Sequence, residues 1–457
     1  MTLSSTRVAC ALLAVCCIAV PAWAQQAGGP GRPYRGLFGG GGGAGDWDQS
    51  LTANASVGVG ADNNLLAASG IASDPQELQA PTGIGGRSRI QEYGYLAGGL
   101  SYSLSKSRVS VGASLGTAGQ YVPNITSPYV PSYSGSAGVS LQVSRRSRLT
   151  ANHSVSLQPY NVLVLGLPLG EPALGQPALI EPTFGIRRED HTAQVSDVGF
   201  TRQIGRRASL GFAYGRMRSA TSSGVDNLSS QMASARFSTA LTKGLGAHLG
   251  YGYTEGRLPG ENLKVFEHNI DAGLDYARTL GLTVSRRTKL SFSTGSSIVN
   301  YRRHTFFRVT GTATLTHEIA RSWAASLSYD RGMGFVERFR EPFFSDSVTL
   351  GVNGLIARRL NFRSAAGAVR GTLGVAGEAT QQSANAFRSY FGTTGLSIAL
   401  ARSLALGTDY SYYRYGFNRL DGLPTGVARE MGRHSGRVYL SVWVPILQRG
   451  RRTNASR

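Results

Sequence analysis

The sequence is short of cysteine, of charge and of long hydrophobic runs. Its cysteines, Cys10, Cys16 and Cys17, all fall in the first 17 residues, so nothing downstream can form a disulfide or offer a thiolate to a metal. Charged residues are 16% of the 457, against roughly 25% in ordinary soluble domains. After residue 24 no stretch holds the about 20 consecutive apolar residues that a spanning helix needs. A disulfide-stapled domain and a bundle of membrane helices are both excluded.

What is present is glycine, 60 residues of it, with 41% hydrophobic residues. At the N-terminus Arg7 precedes an apolar run from Val8 to Val20. Pro21 breaks the run, and Ala22-Trp23-Ala24 follows as a small-x-small cleavage site. Residues 1–24 are therefore predicted to be an export signal. Residues 25–48, with "QQAGGPGRPYRGLFGGGGGAG", read as a Gly-rich flexible segment. The net charge is +21, but the arginines are spread along the chain at turn positions. In an exported chain this points away from nucleic acid and toward anionic lipid headgroups, lipopolysaccharide or acidic polysaccharide.

From Leu51 onward one pattern recurs. In "RVSVGASLG" Val109, Val111, Ala113 and Leu115 alternate with Ser110, Gly112, Ser114 and Gly116. "GLGAHLGYGY" sets Leu245, Ala247, Leu249, Tyr251 and Tyr253 against Gly246, His248, Gly250 and Gly252. "RVYLSVWV" sets Val438, Leu440, Val442 and Val444 against Tyr439, Ser441 and Trp443. Period-two alternation marks strands with one apolar face. The other face carries little but Ser and Gly, a poor coat for a soluble surface. It suits a wet lumen, with the apolar face turned to lipid. A strand in lipid must pair along both edges, because an unpaired backbone group there costs several kcal/mol, so the sheet must close.

These segments predict an all-β fold, a transmembrane antiparallel up-and-down β-barrel of about 18 strands with 16 as the alternative count. It spans residues 49–447 and leaves 448–457 as a basic tail. The connectors alternate. Short basic turns include Ser105-Lys106-Ser107, Arg145-Arg146-Ser147, Gly205-Arg206, Thr242-Lys243, Arg286-Arg287, Ala320-Arg321, Arg358-Arg359 and Arg402-Ser403. Longer loops include Asn64–Gln91, Tyr121–Ser132 and Tyr160–Glu189. Short turns on one rim and long loops on the other characterise outer-membrane barrels. "VSRRSRL" and "VSRRTKL" are nearly copies, through hairpin duplication or convergence on a good turn. Tyr121, Tyr214, Tyr253, Phe335 and Tyr415, at loop-side strand ends, are expected in an aromatic girdle.

On this strand pattern and turn polarity, from Leu51 to Leu447, the sequence resembles porin-like bacterial outer-membrane β-barrels. The final strand "HSGRVYLSVWVPIL" has Gly436 and Tyr439 at the spacing such barrels show near their end. The resemblance implies the outer membrane as location, with lipid, lipopolysaccharide and the barrel-assembly machinery as partners.

No chemistry-bearing motif accompanies the pattern. The glycine run Gly39–Gly43 has no strand before it, and the seven histidines show no metal-ligand spacing. "NHSVS" places Val155, not a serine, two residues after His153, so a His-Ser pair on one face fails by parity. The chain is accordingly expected not to be an enzyme and to hold no cofactor or metal. Parity turns Arg236, His248, Asp271, Asp275, Asp330, Arg363, Asp409 and Arg437 inward as pore-lining residues. Ser238, His248 and Asp275 share that face, and are read as a hydrogen-bonded patch rather than a catalytic set. The function expected is a water-filled, weakly selective pore for small solutes. The alternative is an exit channel or structural component of an exopolysaccharide or secretion system, docking a periplasmic partner through the N-terminal segment. A hydrolase embedded in the barrel stands behind both.

Overall fold

The computed structural model describes residues 47–63, 90–123, 129–158, 191–221, 227–242, 245–257, 264–279, 288–301, 304–319, 322–334, 343–373, 385–418 and 429–451. The predicted export signal, residues 25–46 of the predicted Gly-rich segment, most of the long loops and Phe335 lie outside them, as do Lys243, Arg286-Arg287 and Ala320-Arg321 of the short turns. Trp47 and Asp48, expected in the Gly-rich segment, belong to the first strand.

The described residues form strands β1 (Trp47–Asp62), β2 (Gln91–Ser105), β3 (Val109–Tyr121), β4 (Tyr129–Ser144), β5 (Ser147–Gln158) and β6 (His191–Gln203). They continue as β7 (Ala208–Thr221), β8 (Leu228–Ala240), β9 (Leu245–Arg257), β10 (Lys264–Thr279), β11 (Thr288–Tyr301) and β12 (His304–Glu318). The last six are β13 (Ala324–Gly334), β14 (Phe343–Ala357), β15 (Leu360–Leu373), β16 (Asn385–Ala399), β17 (Leu404–Phe417) and β18 (Glu430–Arg451). Each pairs antiparallel with its neighbours in sequence, and β1 pairs with β18, closing an 18-stranded sheet. The fold is an all-β, antiparallel, up-and-down barrel.

Closure fixes its dimensions. Following paired residues at right angles to the strands around the sheet returns to β1 about 22 residues from the starting position. With 18 strands about 4.8 Å apart, that stagger tilts them by about 40° and gives a backbone diameter of about 36 Å.

Register decides the faces. Val57 pairs with Leu96, Leu100 with Leu115, and Val59 with Val438, all on one face. This face is exposed and apolar, with Leu249, Tyr251, Val348, Leu350, Leu440 and Val442 continuing it around the barrel. On the other face Arg363 of β15 reaches Tyr439 of β18, strands that are not neighbours. Such convergence belongs to a concave wall, so the Ser- and Gly-rich face lines the lumen. Two aromatic belts flank the outer apolar surface. Near the short turns Trp323 packs on Phe362, ring centroids 5.8 Å apart, and donates Nε1–H to the Leu355 carbonyl at 3.0 Å. Toward the other rim Tyr214, Tyr251, Tyr329, Tyr390 and Tyr410 are exposed.

Both strand termini, Trp47 and Arg451, sit on the short-turn rim with 145–146 and 358–359, as an even strand count requires. The alternation has two exceptions: β11 and β12 are joined through 302–303 alone, on the rim of the longer loops, and β10 and β11 through the eight residues 280–287, on the short-turn rim.

Two expectations are corrected. Tyr415 does not join the girdle. It has the parity of Asp409, pairs with Met431 and is buried inside the barrel, because β17 carries tyrosines on both faces. The predicted tail begins too early. Gln448, Arg449 and Arg451 pair with Ser50, Gln49 and Trp47, since a ladder continues through polar residues as readily as apolar ones. A register shift beside Pro445, which has no N–H to give, lets β18 run on.

Candidate functional site

The lumenal wall from β15 through β18 to β1 and β2 holds the densest set of charged and aromatic side chains described. One row across it reads Arg363, Gly395, Asp409, Arg437, Gly60, Tyr93, each residue paired with the next. The adjacent row toward the short turns reads Ser397, Gly407, Tyr439, Gly58, Tyr95. Two glycines stand among the large residues of each row, and they are spaces for the neighbours. A Cβ on Gly395 would collide with the Asp409 carboxylate and stand 2.8 Å from Arg363 Nε. One on Gly407 would meet the Tyr439 ring, and one on Gly60 the Tyr93 ring.

Asp409 is the centre. Its Oδ1 accepts from Arg363 Nη2 at 2.8 Å, and its Oδ2 accepts from Arg437 Nε at 3.1 Å and Nη2 at 2.9 Å. Arg363 Nη2 also donates to the Tyr439 hydroxyl at 3.2 Å. The Arg437 guanidinium lies 5.4 Å from the Tyr95 ring centre and 5.5 Å from that of Tyr439. Those two rings meet edge to face, 6.4 Å apart at 89°. Ser56 hydrogen-bonds the Tyr95 hydroxyl. Two guanidinium groups share one carboxylate, so the cluster keeps an excess positive charge on the wall. Nearer the long-loop rim Arg433 Nε donates to Asp62 Oδ2 at 2.7 Å, a charge-balanced pair.

Toward the same rim the lumenal face turns aromatic. Phe387 and Phe417 lie 6.0 Å apart, Tyr415 meets Phe417 edge to face at 5.5 Å, and Tyr413 and Phe391 are buried with them. The lumenal wall is therefore not uniformly hydrated.

The structure brings together three of the eight residues singled out by parity: Arg363, Asp409 and Arg437. Of the others, Arg236 and Asp271 hold register positions in one row, on either side of Gly250, and the rest fall in other rows. Arg236 pairs with Gly211 and Gly250, and Asp330 with Thr312 and Ser347. Asp271 and Asp275 take register positions opposite Gly250 and Gly246. His248 is buried and stands directly opposite Ser238, but its partner on the other side is Gly273, and Asp275 lies in a different row. Parity missed Tyr95, Tyr439 and Ser56, which complete the cluster. The pleat places them inward, but only register reveals that they meet.

His153 has a serine partner that local sequence hides. Its Nδ1 is 2.8 Å from Ser196 Oγ, directly across on β6. Its neighbour on β4 is Ala137, which offers no orienting group. Among the described residues no group of three or more His, Cys, Asp or Glu is placed to hold a metal ion.

No protein-family model matches the chain, and no curated protein matches it in sequence. Among solved structures it is similar to Pseudomonas aeruginosa OpdQ, with 10% identity, 88% of this chain and 98% of that chain covered, and a TM-score of 0.43. It is similar to Acinetobacter baumannii OccAB4 at 11% identity, 87% and 98% coverage and a TM-score of 0.42. The FrpB iron transporter from Neisseria meningitidis matches at 8% identity, 87% and 82% coverage and a TM-score of 0.42. At these values the likeness carries nothing about function, and the fold rests on the chain's own strand pairing.

Proposed function

We propose that the protein is an outer-membrane barrel whose lumen passes small water-soluble solutes with weak selectivity. The observation that carries this reading is the division of one closed sheet into two surfaces. The outer surface exposes aliphatic side chains between two aromatic belts, which suits lipid and not water. The inner surface carries Ser, Gly, Arg and Asp. At 18 strands such a sheet encloses more space than its inner side chains fill. Charges of both signs on the wall favour weak selectivity, and the excess arginine at Asp409 biases it toward anions.

The test is single-channel recording of the purified chain in a planar bilayer. Stable ohmic conductance with a small anionic reversal potential is expected. A protein that inserts but stays closed favours the export-channel reading. Strong cation selectivity contradicts the assigned wall.

A further inference from the structure

A second cluster of charge lies on the outside of the barrel, where lipid should be. On the long-loop side of the outer belt, paired residues run Arg331, Asp346, Arg370, Arg388 across β13 to β16. Gly416 and Glu430 continue the row on β17 and β18. Arg331 is answered by Asp346 at 3.5 Å and by the Phe344 ring at 5.1 Å, and Arg414 of β17 by Glu430 at 3.6 Å. Arg370 and Arg388 are different. They are exposed and face each other directly across two strands. Among the described residues neither enters an ion pair or side-chain hydrogen bond. Like charges directly opposite destabilise a sheet, so this pair calls for an anion that the described residues do not supply.

Its height identifies the anion. One outward position below the row, on the strands beside β15 and on β13, stand Tyr329, Val348 and Tyr390 of the girdle and apolar surface. Along β15, at the barrel's tilt, Leu360 and Arg370 are separated by about 25 Å, the height of a lipid-facing apolar band. Arg370 and Arg388 thus stand just beyond the hydrocarbon, on the rim opposite Trp47 and Arg451. We propose that they hold a phosphate of a phosphorylated glycolipid in the outer leaflet, as in the headgroup of lipopolysaccharide. Two forked guanidinium donors suit phosphate oxygens, and Tyr390 beneath offers its ring to the sugar edge. The proposal rests on reading the chain as a membrane-spanning barrel.

The experiment follows thermal unfolding of the full chain in detergent micelles, alone, with bis-phosphorylated lipid A, and with the same lipid dephosphorylated. The phosphorylated lipid is expected to raise the unfolding temperature and the dephosphorylated lipid to leave it nearly unchanged. Arg370→Gln with Arg388→Gln should remove more than half of the rise, with Arg388→Gln alone as the milder variant. Arg145→Gln with Arg146→Gln removes as much charge from the opposite rim and should keep the rise. Equal stabilisation by the dephosphorylated lipid, retention of the rise in the Arg370/Arg388 variant, or equal loss in the Arg145/Arg146 variant overturns the proposal. Conductance of the same samples separates its failure from that of the pore reading.

Discussion

Arg433 of β18 donates Nε–H to Asp62 of β1 at 2.7 Å, with 14% and 0% of the two side chains exposed. The pair lies across the seam where the last strand to be made meets the first. Side-chain pairs also cross other junctions, Asp409 with Arg437 and Asp346 with Arg331 among them, but here the partners are separated by 371 positions in sequence. Asp62→Ala leaves a largely but not fully buried guanidinium without this carboxylate, a loss of about 3 kcal/mol. Asp62→Leu combined with Arg433→Met should recover part of that. Urea unfolding in micelles, read by circular dichroism, measures both. A double variant no better than the single one would show that the pair is not a unit.

The cluster at Asp409 has a different expected phenotype because water reaches it. Arg363 and Arg437 are 36% and 43% exposed, so removing their shared carboxylate should cost only about 1–2 kcal/mol. Permeation should respond more clearly. Asp409→Asn leaves two positive charges on the wall and should raise the anion-to-cation permeability ratio about twofold, whereas Arg363→Gln with Arg437→Gln leaves one negative charge and should lower it. Reversal potentials in a salt gradient give both signs. Identical values for all three proteins would remove this wall from the conduction path.

Glycine positions divide by what stands beside them. A Cβ on Gly58 would strike the Val438 carbonyl and stand 2.7 Å from Tyr439 Cβ, both in the neighbouring strand. On Gly392 it would find nothing within 4 Å. Gly58→Ala should therefore cost about 1–3 kcal/mol, and Gly392→Ala less than about 0.5 kcal/mol. Chemical denaturation ranks them, and equal costs would mean that β1 shifts to absorb the methyl group.

The barrel was legible because lipid on one side and water on the other impose strict alternation, which local sequence records. Val109 and Leu115 against Ser110 and Ser114 carry that information without any knowledge of partners. Contacts across strands carry none of it locally. Arg363 and Asp409, 46 positions apart, share a face by parity, but their meeting depends on the register of β15, β16 and β17. The same holds for His153 and Ser196. Tyr415 was misplaced where tyrosines occupy both faces and residue type no longer marks the outside. The arginines at 370 and 388 are not legible in the sequence, because charge at a lipid-facing position runs against the alternation that marks a strand.

Orientation follows from which rim bears the short turns. Arg145-Arg146 joins β4 to β5 in a two-residue turn, with the Arg146 amide donating to Ser144 Oγ at 3.2 Å. Both strand termini share that rim. In an exported barrel inserted from the periplasm the tight rim should face the periplasm and the long loops the exterior. The mature chain has no cysteine of its own if cleavage follows Ala24, so single cysteines report cleanly. A membrane-impermeant maleimide applied to whole cells should label Pro75→Cys, in the long loop after β1. Arg146→Cys should label only after the outer membrane is permeabilised. Labelling in the reverse order would turn the barrel over. It would also place Arg370 and Arg388 against the inner leaflet, where the phosphorylated glycolipid is absent.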